Sequence, residues 1–315
     1  MYELKLRKVF QDNIHKINWM LLCKNPNAIH LLEQNLDEIN WRWLSSNPNA
    51  IGILEQNPNK IFWPWLSSNP NAIHLLEKYP HKIDWPWLSE NPKAIHLLEQ
   101  NPDKINWIFL SRNPKAIHLL EQNPEKISWS NLSDNPNAIH ILEKNLDKIH
   151  WDRLCKNPKA IHILEEYPDK INWIWLSENP NAIHLLEKNP DKIVWRWLCL
   201  NPNAIHLLEQ NPDKIDWSML SSNPNPKAIH LLEQNTDKIN KINWDNIWCN
   251  PNIFEYDYQA IKERKKHLHE EIIMLFSHPR LLQASLEGVE MSEISDLDSH
   301  VSHFAMNNIG LVLCR

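Results

Sequence analysis

Two rows of residues hold the chemistry this chain offers. The first is histidine: His30, His74, His96, His118, His140, His162, His184, His206 and His230 occupy one repeated slot that only Gly52 interrupts. Imidazoles bind metals and carry protons near neutrality. Helices stacked side by side sit about 8–10 Å apart, however, so equivalent histidines of successive layers cannot share a metal whose bonds to nitrogen are about 2 Å long. His96 stands three residues before Glu99, which predicts an imidazole–carboxylate contact within each layer. No metal and no cofactor are expected.

The second row lies around a tryptophan that recurs every 22 residues, from Trp19 and Trp41 to Trp217. Two residues after it come Trp43, Trp65, Trp87, Phe109, Asn131, Arg153, Trp175, Trp197 and Met219. One residue after it come Arg42, Pro64, Pro86, Ile108, Ser130, Asp152, Ile174, Arg196 and Ser218. Copies of the unit differ most at these two slots. A step of two residues turns about 200° around a helix, so the aromatic row points away from the anchoring tryptophan. It either packs against the next layer or forms an exposed ridge broken at Asn131 and Arg153. Exposed aromatic patches with arginine are typical partner anchors. The candidate partner-binding residues are Arg42, Trp43, Trp65, Trp87, Phe109, Arg153, Trp175, Arg196 and Trp197. Bases also stack on such rings, but sequence-tolerant nucleic-acid binders add a positive groove. Here lysines alternate with carboxylates, so nucleic acid is the lesser reading. No GxSxG, P-loop, GxGxxG or HExxH is present, and nearly every polar residue recurs in every layer, which argues against an enzyme.

The element that positions both rows is a 22-residue unit such as Asn91 to Arg112, NPKAIHLLEQNPDKINWIFLSR. Copies start at Asn25, Asn47, Asn69, Asn113, Asn135, Asn157, Asn179 and Asn201, and a lengthened one at Asn223. A short fixed period signals a solenoid. Asn91-Pro92 reads as an N-cap with proline at the first helical position, opening a helix through Gln100. Asn101-Pro102 ends it, and Pro102 to Ile105 reads as an extended linker. Pro64 and Pro86 follow their tryptophans directly, so a second short helix starts near the tryptophan, where proline is tolerated. Trp107 and Leu110 are expected to face inward together. One unit buries too little to stand alone, and stability must come from stacking. The expectation is an all-α solenoid of two-helix units, roughly 100 Å long if each layer adds about 10 Å.

Composition agrees with a packed repeat. Of 315 residues 17 are tryptophan and 22 proline, against 3 glycines, and the net charge is −6. No basic block recruits nucleic acid or an anionic membrane. No apolar run reaches the 18 or so residues that span a bilayer, and the charged MYELKLRKVFQDN start is not a signal peptide. An intracellular protein without a membrane anchor is expected. Cys23, Cys155 and Cys199 take a slot that is serine in other units, and no CxxC occurs, so they read as small packing residues. Residues 1–24 read as a half-repeat cap, 25–250 as the ten-unit array with insertions in the last unit, 251–289 as capping helices, and 290–315 as a weakly ordered tail.

The NPNAIHLLEQNPDKIxWxxLSxN units, closed by FEYDYQAIKERKKHLHEEII and a following HP, resemble a repeat family abundant in amoeba-infecting giant DNA viruses. In layout the unit is also similar to leucine-rich-variant repeats. The resemblance implies a viral source, acting in the host cytoplasm or the particle, and brings no catalytic residues. The function expected is a non-enzymatic scaffold binding a host or viral protein; the alternative is a nucleic-acid-binding solenoid.

Overall fold

The structure, a computed structural model, describes residues 4–276. It divides into a repeat body, Leu6–Glu255, and a second unit formed by the chain ends. Of the second unit the described part is chiefly one helix, Tyr258–Phe276, close to the helix expected there. The proposed short helix after His278 and the tail from residue 290 lie outside the described residues.

The repeat body is an all-α solenoid. The unit from Asn91 contains a helix Ile95–Glu99, a 3₁₀ turn Pro102–Lys104 and a helix Trp107–Leu110, and its neighbours repeat that order. The tryptophan helix starts where expected. Asn106 caps it, accepting from the N–H groups of Ile108 and Phe109, two of the donors that a helix start leaves open. Two local expectations fail. Pro102–Lys104 is a 3₁₀ turn and only Ile105 is extended. Asn91 does not cap the first helix, which begins at Ile95. Its Oδ1 instead accepts from the Lys93 N–H at 3.0 Å, a tight Asx turn. Asn101 ends that helix by donating Nδ2 to the Leu97 carbonyl at 2.9 Å.

Inside each layer Ala94, Leu98 and Leu110 are fully buried, and so are Ser111 and Asn91. A buried amide must be hydrogen-bonded, and Asn91 finds its partners in the layer before. Its Nδ2 donates to the carbonyls of Ser67 and Asn69. The same pair of bonds, 2.7–3.1 Å long, is made by Asn25, Asn47, Asn69, Asn91, Asn113, Asn135, Asn157, Asn179, Asn201, Asn223 and Asn250, eleven rungs in all. A second ladder runs beside it, in which Asn49 donates to the Pro26 carbonyl and Asn71 to that of Pro48.

The ladder has no first rung. Asn25 donates to Trp248 O at 3.0 Å and to Asn250 O at 2.9 Å, as Asn47 does to Cys23 and Asn25. Asn27 likewise donates to Pro251 O. The repeat body therefore closes on itself as a ring, and the expectation of an elongated coil is corrected. Eleven equal steps turn about 33° each, a curvature fixed by small per-unit rotations.

The eleventh unit is composite. Asn250-Pro251-Asn252-Ile253 supplies its opening turn, and the N-terminal segment supplies helix Lys8–Gln11, 3₁₀ turn Ile14–Lys16 and helix Trp19–Leu22. The Arg7 N–H donates to Ile253 O across the join at 2.9 Å. The Arg7 guanidinium also bonds Asn252 O and Glu233. Residues 7–24 are thus half of a repeat that finds its other half at the far end of the array, not a terminal cap. Charged Arg7 stands where other units are apolar because it ties the join. Trp248 fills the slot that is serine or cysteine in the other units; it is fully buried and its indole N–H donates to Lys16 O at 2.9 Å. Three-residue strands Leu4–Leu6 and Phe254–Tyr256 pair as a two-stranded sheet.

Candidate binding surface on the inner rim

In a closed ring, layers lie closest at the inner circumference. The tryptophan helices of neighbouring units come close together, as Trp41–Ser45 and Trp63–Ser68 do, whereas the histidine helices stand farther apart. The tryptophan helices therefore line the inner rim, and the histidines face outward. With neighbouring helices about 8–10 Å apart, eleven of them enclose a bore on the order of 20 Å after side chains are allowed for.

The outer row links layers, but not as expected. His96 Nε2 meets Glu77 Oε1 of the preceding unit at 3.0 Å, not Glu99 of its own helix. The same contact joins His74 to Glu55, His118 to Glu99, His140 to Glu121, His162 to Glu143, His184 to Glu165 and His206 to Glu187. Each pair is about half exposed, where such contacts contribute little. Among the described residues no three His, Cys, Asp or Glu side chains come together as a metal site.

Except for the buried Trp217, the anchoring tryptophans are half-buried, whereas Leu110 is fully buried. A lysine from the next unit's 3₁₀ turn lies over the ring: Lys60 over Trp41, Lys104 over Trp85, Lys126 over Trp107, Lys148 over Trp129 and Lys214 over Trp195, at 4.5–4.7 Å. Lys16 covers Trp244 the same way across the join. Such cation–π contacts hold the lysine stem along the indole while its ammonium stays wet.

The candidate ridge falls into aromatic stacks separated by a polar break. Trp43 and Trp65 meet tilted at 4.4 Å, Trp87 and Phe109 tilted at 5.4 Å, and Trp175 and Trp197 edge-to-face at 5.2 Å. All six are half-buried, so they pack layer on layer and still present ring edges to the bore. At the break, Arg153 binds Asp134 at 2.7 Å and Asn131 at 3.3 Å. Arg112, Asp134, His150, Asp152, Arg153, Lys156 and Trp175 line a recess of about 460 Å³ there. Arg42 lies over Phe62 and Trp65, while Arg196 is 69 % exposed at its side chain and pairs with Asp216 at 3.7 Å. The +1 slot is the most open: Ile108 is 59 % exposed.

Sequence reasoning missed Lys24, Lys156 and Asp134. Lys24 lies over Trp43 at 4.0 Å and Lys156 over Trp175 at 3.6 Å. The available signal was spacing, since all three stand three residues after the aromatic slot, on the same helix face.

The serine slot supports the tryptophan helices. Ser89 Oγ accepts from the Asn106 N–H and donates to Trp85 O. Cys155 takes the same place, its sulfur accepting from the Asn172 N–H at 3.3 Å. Burial pushes the thiols of Cys155 and Cys199 up to about 11, so they stay protonated and poorly nucleophilic.

No protein-family model, curated protein or solved structure matches this chain. Among the described residues no helix is long and apolar enough to cross a membrane.

Proposed function

We propose that this protein is a non-enzymatic scaffold that binds a protein partner along its inner rim. One observation carries the reading. Units are nearly identical wherever layers are held together, and they differ at the slots facing the bore, where half-exposed aromatic stacks alternate with charge. Partner interfaces concentrate their energy in such aromatic and arginine anchors. The resemblance of the units to giant-virus repeats supports a viral source, with a partner in the host cell or the particle. The lesser reading is nucleic acid, favoured by the ring stacks and opposed by the carboxylates interleaved with them.

The test is capture from host lysate on the full chain, compared with a Trp175→Ala/Trp197→Ala variant and a Trp43→Ala/Trp65→Ala variant. A protein retained by the parent and lost from at least one variant is the expected result. Retention of the same proteins by all three would refute the inner-rim assignment. Binding to random-sequence DNA and RNA that steepens as salt falls would favour the lesser reading.

A further inference from the structure

We infer that the arc of the inner rim from Met20 to Trp65 binds an acidic peptide segment, one whose carboxylates alternate with apolar side chains. The inference rests on the scaffold reading above and names the chemistry of the partner at one place.

Lysines stand over indoles all round the rim, but in this arc a rim arginine does so as well, with no carboxylate beside it. Lys24 lies over Trp43, and the Arg42 guanidinium lies over both Phe62 and Trp65, at 4.9 and 4.7 Å. Among the described residues neither cation forms a salt bridge, whereas Arg112, Arg153 and Arg196 elsewhere on the rim each have an acidic partner. The tryptophan helices of the arc contain no acidic residue. At its edges Asp245 accepts from Asn18, and Asp84 is occupied in capping its own helix through the Trp87 N–H. Lys24 and Arg42 are therefore positive charges without an ion-pair partner, standing on an apolar floor.

A guanidinium stacked on rings keeps its N–H fork free at the edge, in the plane that a carboxylate meets with two hydrogen bonds. Beside it stand Met20, 43 % exposed, and the half-buried Pro64. An extended peptide places successive side chains on opposite sides. Its apolar residues can lie on Met20, Pro64 and the edge of Trp43 while flanking carboxylates reach Arg42 and Lys24. A nucleic-acid strand fits less well, because its evenly spaced phosphates would run on to Asp84 and Glu90 on one side and Asp245 on the other.

The test is fluorescence anisotropy on the full chain with two labelled peptides of equal length, one alternating glutamate with leucine and one alternating lysine with leucine. A labelled random-sequence single-stranded RNA is the third probe. The glutamate peptide is expected to bind at least about tenfold more tightly than the lysine peptide. Lys24→Gln/Arg42→Gln should erase that preference and Arg196→Gln should keep it, with an unchanged urea midpoint showing that each variant is folded. Equal affinities for the two peptides, or a preference that survives in Lys24→Gln/Arg42→Gln, would overturn the inference. RNA binding tighter than the glutamate peptide and lost in the same variant would overturn it in favour of nucleic acid. If the arc fails while Trp175→Ala/Trp197→Ala still releases a captured protein, the acidic-peptide assignment falls and the scaffold reading stands.

Discussion

Replacing Asn25 by alanine asks whether the ring is closed in solution. Asn25 is fully buried and makes three hydrogen bonds: Nδ2 donates to Trp248 O and Asn250 O, and Oδ1 accepts from the Asn27 N–H. Alanine removes all three. The Asn250 carbonyl keeps the Ile253 N–H at 3.3 Å, but Trp248 O loses the amide it held. At about 1 kcal/mol for each net bond, plus about 1–3 kcal/mol for a stranded buried carbonyl, the loss is about 4–6 kcal/mol. In a chain of this size that lowers the melting temperature by on the order of 10 °C. An open array gives a different answer, because Asn25 would then sit at a free end, where water replaces its partners and alanine costs under about 0.5 kcal/mol. The assay is urea denaturation followed by tryptophan fluorescence, with Asn135→Ala as reference. Asn135 makes the same bonds in mid-array, to Ser111 O and Asn113 O. Closure predicts that the two variants lose stability equally, with unchanged slope against urea. If Asn25→Ala matches the parent protein while Asn135→Ala does not, closure is refuted.

Two further outcomes follow from the join and the serine slot. Trp248→Ser restores the residue that most other units carry, yet it empties a fully buried indole site and removes the bond to Lys16 O, so it should destabilise by about 3–5 kcal/mol in the same urea assay. Cys155→Ser/Cys199→Ser should fold normally, because serine in this slot accepts the same N–H at 3.0 Å where sulfur accepts it at 3.3 Å. The two proteins should part in alkali. Both thiols have a folded value of about 11 against an ordinary 9.0, so the unfolded chain ionises first. Their contribution is complete below pH 9 and is lost as pH rises towards 11. The parent's melting temperature should therefore fall more steeply across that window than the double variant's.

Much of the unit was legible from residue types alone. Proline directly after Trp63 and Trp85 located the start of the tryptophan helix, and exchange of serine with cysteine marked a small buried slot. Asn91 was misread because Asn-Pro is an ordinary helix opening, whereas the carbonyls that its Nδ2 reaches lie 22 and 24 residues away. His96 was misread for the same reason, since Glu77 one layer back competes with Glu99 three residues on. One clue to closure did lie in the chain. Residues 7–24 lack an opening Asn-Pro turn, while Asn250-Pro251-Asn252 is such a turn without the helices that normally follow it.

The amino-acid order, read alone, determined the period, the two short helices of the unit and its buried aliphatic positions, because these depend on the pattern within one copy. Tertiary structure alone decided that the array bends into a ring and which helices line its bore. Curvature is the sum of small differences in spacing between the tryptophan side and the histidine side of every layer. No single residue encodes that sum, and only the meeting of Asn25 with Asn250 reveals that it reaches a full turn.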